Sequence, residues 1–137
     1  MSTVVREVPR QSPHDYIVSL VAQRWAKAVE SRITVNIGAP PNGLVGERRK
    51  YPDIVGWRFR PDQNNEVEWI AEVETEQSLS QPGARERLKD YAALNVPFYL
   101  FVPKGYRTVA QVLGVRAGIQ LNGIYEYTLV NDALQIS

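Results

Sequence analysis

Two stretches decide how this chain reads: YPDIVGWRFR over residues 51–60 and EVEWIAEVETE over residues 66–76, joined by the polar turn PDQNN at 61–65. In the second stretch Val67, Trp69, Ala71 and Val73 take one face, and Glu66, Glu68, Glu72, Glu74 and Glu76 take the other. Period two over that length marks a half-buried strand. The join is rich in residues that close hairpins, so the two strands are expected side by side and antiparallel. Such pairing carries Asp53, near the start of the first strand, to Glu72 and Glu74, near the end of the second. Three carboxylates at one spot repel each other unless a cation lies between them, and a hard divalent ion such as Mg²⁺ favours oxygen ligands of this kind.

Pro52-Asp53, then a hydrophobic strand, then Glu72-Val73-Glu74 resembles the PD-(D/E)xK nuclease superfamily, the restriction endonuclease-like phosphodiesterases. The resemblance runs from about Ser12 to Val102. It implies an α/β, restriction endonuclease-like fold: a central mixed β-sheet of about five strands flanked by helices, in the order α-β-β-β-α-β followed by α-β. It further implies a metal-dependent endonuclease acting on DNA. Asp53 and Glu72 would hold Mg²⁺ or Mn²⁺, with the Val73 carbonyl as another ligand and Glu74 as a further ligand or the base that orients water. The chain departs from the family at one place: Glu74 stands where a lysine is usual, giving ExE for ExK. Lys89 and Arg85, on the helix that follows, are the candidates to restore the missing cation. Members with an acid at that place include active enzymes, and degenerate members also lose the lysine. Two functions therefore stay open: a magnesium-dependent DNA endonuclease, with a homodimer as one arrangement, and a catalytically degenerate module used for DNA binding or assembly.

A purely structural reading competes with both. Glutamates alternating with apolar residues also describe a solvated strand face with no chemistry. That reading accounts well for Glu66, Glu68 and Glu76, and less well for Pro52-Asp53 on the neighbouring strand.

Composition narrows the remaining classes. At 137 residues the chain forms one domain, long enough to bury a core, with residues 1–11 as an arm outside it. No cysteine occurs, which removes thiol catalysis, zinc–thiolate sites and disulfides together. The first residues, MSTVVREVPRQSP, lack the long apolar core of a signal peptide, and no apolar run reaches membrane-spanning length, so a cytoplasmic setting is expected. Sixteen Lys and Arg against 15 Asp and Glu leave no basic coat, so DNA contact must come from a local patch. Arg48, Arg49 and Lys50 form the densest basic cluster, directly before Tyr51. They read either as a solubilising edge or as phosphate contacts beside the acidic site.

The remaining elements follow from periodicity and punctuation. Ser12 reads as an N-cap with Pro13 at the first helical position and Asp15 in the first turn. Ile17, Leu20, Val21, Trp25, Ala28 and Val29 then continue at helical spacing to about residue 31. His14, the sole histidine, reads as an ordinary exposed residue at that helix start, and Glu30 as solvated or as a further acid for the site. RITVNIG at 32–38 reads as a strand and GAPPNGLVGE as a loop. A helix beginning at Pro82 carries Ala84, Leu88, Tyr91 and Ala92 on one side, with Arg85 and Lys89 four apart on another. Asn95 and Val96-Pro97 end it. PFYLFV at 97–102 is apolar throughout, as in a strand buried on both faces, and the strand–helix–strand order implies a parallel crossover. A helix from about Thr108 to Ala117 capped by Gly118, and a strand at 123–130, complete the chain, with 131–137 as a short added edge.

Overall fold

The computed structural model describes residues 12–28, 32–36, 52–58 and 66–137. The expected N-terminal arm, Glu30, the glycine- and proline-rich loop, the Arg48, Arg49 and Lys50 cluster and the turn at 61–65 lie outside the described residues.

The chain opens on α1 (Pro13–Ala28), nucleated as its sequence suggests: Ser12 Oγ accepts the Asp15 N–H at 3.1 Å, and the Ser12 carbonyl accepts the Tyr16 N–H at 3.0 Å. Three strands follow, β1 (Arg32–Val35), β2 (Ile54–Arg58) and β3 (Glu66–Val73), each antiparallel to its neighbour. Two helices, α2 (Glu76–Ser80) and α3 (Ala84–Ala92), lead to β4 (Phe98–Pro103), which runs parallel to β3. Then α4 (Arg107–Ala117) crosses over to β5 (Gly123–Val130), parallel to β4, and β6 (Ala133–Ile136) turns back antiparallel. The result is an α/β arrangement with a mixed six-stranded sheet in sequential order, β1 to β6, flanked by helices.

The sixth strand exceeds the five expected. Asn131 and Asp132 take left-handed backbone, φ 52° and 63°, and such a two-residue turn matches strand twist and closes the β5–β6 hairpin. The short α2 is also new to the sequence reading. Thr75 and Ser78 form its capping box, each side chain satisfying the other's backbone N–H, at 3.1 and 2.8 Å. Pro82 then belongs to the turn between helices, and α3 starts two residues later.

Both sheet faces are covered. On one, α1 places Ile17, Val18, Val21 and Ala22 against Ile54, Trp69, Ala71, Val73 and Phe101. Trp25 lies at the centre of the aromatic group on this side, edge-on to Trp69, Tyr99, Phe101 and Tyr125 at centroid distances of 4.9–5.5 Å. On the other face, Leu88 of α3 and Ala110 of α4 pack on Val55, Ile70, Phe98, Leu100 and Val102. The side chains of β4 split between the two clusters, as its continuous apolar run implies.

One irregularity changes the expected alternation. Gly56 pairs with Trp69 but Trp57 pairs with Val67, so β3 gains a residue at Glu68. This bulge shifts the phase of the strand. Val67 therefore packs with the second cluster, while Trp69, Ala71 and Val73 stay with the first. Beside the bulge the Trp69 indole lies directly on Gly56: a Cβ there would meet its ring atoms at 2.2–2.7 Å. Trp25 and Tyr99 hold that indole in place, at 5.4 and 6.4 Å between centroids, so it cannot swing aside. Gly56→Ala is expected to cost about 1–3 kcal/mol by overpacking. A urea midpoint equal to wild type would show the Trp69 packing to be looser than described.

Candidate functional site

The β2–β3 ladder ends at the Ile54–Ala71 pair, and the next residues continue it with side chains. The Asp53 N–H donates to Glu72 Oε2 at 2.6 Å, and the Val73 N–H donates to Asp53 Oδ2 at 2.8 Å. Each carboxylate thus accepts from the backbone of the opposite strand. Asn36 braces the same point from beyond β1: its N–H donates to the Asp53 carbonyl at 2.9 Å and its Nδ2 to the Pro52 carbonyl at 2.6 Å. The first two expected site residues, Asp53 and Glu72, are therefore brought together by strand pairing.

All three acids are buried, Asp53 to 8%, Glu72 to 4% and Glu74 to 0% exposure. A solvated strand face describes the exposed Glu66 but not Glu72 or Glu74, and Glu76, also exposed, belongs to α2 and not to the strand. Burying ionised carboxylates is costly without partners. Glu72 registers that cost: burial, then the charges of Asp53 and Glu74, push its pKa well above the ordinary carboxylate range.

His14, read from the sequence as an ordinary exposed residue, belongs to this cluster. Its Nε2 lies 3.1 Å from Asp53 Oδ2 and 3.0 Å from the Val73 carbonyl, and its Nδ1 lies 3.1 Å from Asp15 Oδ1. Both ring nitrogens face oxygen acceptors, an arrangement suited to an imidazolium that donates from each side. The hydrogen bond to Asp53 is the largest cause raising its pKa to about 9, against the lowering effect of burial. A positively charged ring thus bridges the Asp53 carboxylate and the Val73 carbonyl.

Glu74 has different partners. Arg87 of α3 grips it with both nitrogens, Nη1 to Oε2 at 2.7 Å and Nη2 to Oε1 at 2.9 Å. Ser78 Oγ donates to Oε1 at 2.7 Å, and the Tyr127 hydroxyl donates to the Glu74 carbonyl at 2.7 Å. Arg87 Nη1 also stands 3.7 Å from Glu72 Oε1, so the guanidinium spans the two acids. Its pKa is raised: burial opposes the charge, but the Glu74 and Glu72 carboxylates outweigh it. The Tyr91 phenol, one helical turn along α3, keeps its proton more firmly than usual, from burial and the neighbouring acids.

These groups line a cavity of about 390 Å³ formed by His14, Asp53, Glu72, Glu74, Arg87, Tyr91 and their neighbours. A larger one of about 550 Å³ lies elsewhere, between the ends of α3 and α4, and no described carboxylate lines it; the three buried acids line the smaller. Lys89 lines the larger cavity, and Arg85 is exposed and lines neither. Helix geometry explains the difference: Arg85 and Lys89 share one face, while Arg87 and Tyr91, also four apart, share the face turned to the acids. Tyr91 on the helix stripe was the available clue to Arg87. For His14 the clue was its place beside Asp15 at a helix start, which alone does not reveal what lies opposite.

The donor set near Asp53 suits a hard cation in kind: two carboxylates and a backbone carbonyl, with an imidazole beside them. Among the described residues no three His, Cys, Asp or Glu side chains stand together in a ligating arrangement; His14 is bonded to Asp53 and the Val73 carbonyl, and Arg87 to Glu74. Comparison of the chain with protein-family models, curated proteins and solved structures finds no match. No helix among the described residues is long and apolar enough to cross a membrane.

Two expectations follow. His14 is the sole histidine, so its ring signal is unique in an NMR titration. In the metal-free protein it titrates near pH 9, and Asp53→Asn moves that midpoint down toward the ordinary 6.5. Because the folded pKa lies above the unfolded one, its stabilising contribution is complete below pH 6.5 and fades as pH rises through about 9. A midpoint that stays near 9 in the Asp53→Asn protein would detach His14 from Asp53. Second, Arg87→Leu leaves the Glu74 carboxylate buried without its cation and is expected to cost about 3–5 kcal/mol. Adding Glu74→Gln to that variant recovers part of the loss in denaturant unfolding; strictly additive losses would mean that the two side chains do not interact.

Proposed function

We propose that this chain is a metal-dependent phosphodiesterase of the restriction endonuclease-like kind, acting on DNA. The observation that carries the proposal is the meeting of the Asp53 and Glu72 carboxylates with the Val73 carbonyl at the end of the β2–β3 pair. An antiparallel β1–β2–β3 unit, a helical connection and a parallel β4 support the same fold reading.

Asp53, Glu72 and the Val73 carbonyl would hold the ion, with Mg²⁺ or Mn²⁺ matching oxygen donors. Such an ion lowers the pKa of a bound water and neutralises charge building on the phosphoryl oxygens. His14 Nε2 donates to two of these oxygens and has to turn away or give up its proton for them to ligate. Deprotonated, the same nitrogen is itself a metal donor. Divalent ions therefore compete with protons at this site, and affinity rises with pH. Tyr91 keeps a phenolic O–H at the cavity wall.

Glu74 favours a second reading, because both its oxygens are engaged by Arg87 and Ser78. On that reading the chain is a catalytically degenerate module of the same fold, used for DNA binding or assembly.

Calorimetry with Mn²⁺ and cleavage of plasmid and branched DNA separate the two. The phosphodiesterase reading expects one Mn²⁺ site, weakened at least about tenfold, or 1.4 kcal/mol, by Asp53→Asn or Glu72→Gln, and cleavage that these substitutions abolish. DNA binding without Mn²⁺ binding or cleavage would favour the module.

A further inference from the structure

We infer that Arg87 is the phosphate-contacting cation of the acidic cavity, and that Glu74 is its positioning residue and not a ligand of the metal ion. This deepens the phosphodiesterase reading above and rests on it.

The charges around the cavity set the problem. Asp53, Glu72 and Glu74 line it, and the cations lining it among the described residues are His14 and Arg87. A phosphodiester anion about 4 Å from a carboxylate is repelled by about 4 kcal/mol at an effective dielectric constant near 20. A substrate phosphate therefore needs a cation facing it besides any ion held by Asp53 and Glu72. The two nitrogens of His14 are engaged with Asp15, Asp53 and Val73. Among the described residues, Arg87 is the remaining positive side chain on the wall.

Its donors are only partly used. A guanidinium has five N–H groups in a fixed plane. Glu74 takes one from each terminal nitrogen, and the Ser78 carbonyl takes the second from Nη2 at 3.3 Å. The Nε–H is not spent on these bonds, and the second Nη1 hydrogen is left with only the longer 3.7 Å ion pair to Glu72 Oε1. The side chain is 29% exposed, enough for a ligand to reach.

Glu74 is built to hold this fork and not to move toward an ion. Its side chain is 1% exposed, its N–H donates to the Phe101 carbonyl at 2.8 Å, and its carbonyl accepts from Tyr127. Ser78, which donates to Oε1, is itself fixed by the capping box of α2. A bidentate clamp of this kind orders the guanidinium before substrate arrives, which lowers the entropic cost of contact. The acid of Glu72-Val73-Glu74 is on this account the seat of an arginine that reaches the cavity from α3.

The test uses wild type, Arg87→Lys and Glu74→Gln. Arg87→Lys keeps the charge but loses the planar fork. In wild type, the ¹⁵N signal of the Arg87 Nε–H, assigned by its loss in Arg87→Lys, is followed while a short DNA duplex is added with and without Ca²⁺. The signal is expected to shift on duplex addition. Arg87→Lys is expected to bind Mn²⁺ as wild type does, while its cleavage rate in Mn²⁺ falls about 100-fold, the usual effect of removing one preorganised donor to a developing oxyanion. Glu74→Gln, which leaves Arg87 present but loosely held, raises KM for DNA and keeps Mn²⁺ affinity. An Nε–H signal indifferent to the duplex, or Arg87→Lys cutting at the wild-type rate, would make Arg87 a structural ion-pair partner only. Mn²⁺ affinity lost in Glu74→Gln as in Asp53→Asn would make Glu74 a ligand and overturn the assignment. If wild type neither binds Mn²⁺ nor cleaves, but the Nε–H signal still shifts, the phosphodiesterase reading falls and the phosphate contact stands. If the signal is still as well, both fall.

Discussion

The site depends on a reciprocal pair of hydrogen bonds in which each of two buried carboxylates accepts from the other strand's backbone. Asp53 N–H to Glu72 and Val73 N–H to Asp53 continue the β2–β3 ladder past its last backbone pair. In this exchange a carboxylate does the work of a carbonyl, but it brings a charge with it. The sheet end is thereby joined by two negative groups in a nearly dry place, and the surrounding structure answers that fact. α1 contributes an imidazolium and α3 a guanidinium, one from each face of the sheet.

The balance of charge explains why the acids tolerate burial. Among the described residues three carboxylates stand against two cations, and Glu72, through its burial first and the charges of Asp53 and Glu74 second, holds its proton well above the usual range. Backbone N–H groups and the Ser78 hydroxyl add hydrogen bonds to the carboxylate oxygens, and Tyr127 satisfies the Glu74 backbone carbonyl. A buried polar cluster of this kind is strained toward further positive charge. A divalent ion at Asp53 and Glu72 would relieve the repulsion that raises Glu72, and the imidazolium bridging Asp53 and the Val73 carbonyl stands in the meantime as the counter-charge. The Glu74–Arg87 pair sits beside this centre as a separately clamped unit.

Much of this was legible in the residues. Ser12 marks the start of α1, Gly118 with φ 69° ends α4, and the alternation of 123–130 coincides with β5. The antiparallel pairing that joins Asp53 to Glu72 followed from the turn residues between two strands. What escaped has physical causes. Period two tells which residues share a face, not whether that face is covered, so Glu72 and Glu74 read as solvated as easily as buried. Ile70 among the glutamates, and the doubly apolar β4 next door, were the hints that α3 covers that side. The bulge at Glu68 depends on the Trp69 indole lying on Gly56, a contact between strands. His14 and Arg87 meet the acids across the fold, separated by 39 residues from Asp53 and 13 from Glu74, and no local spacing encodes their direction.

The most direct test of the account is anomalous diffraction from crystals soaked in Mn²⁺. One strong peak is expected within coordination distance, about 2.1 Å as for Mg²⁺, of oxygens of Asp53 and Glu72 and of the Val73 carbonyl, with the His14 ring turned or bound through Nε2 and Arg87 still clamped by Glu74. A soaked crystal with no peak there, and His14 still bonded to Asp53 and Val73, would contradict it.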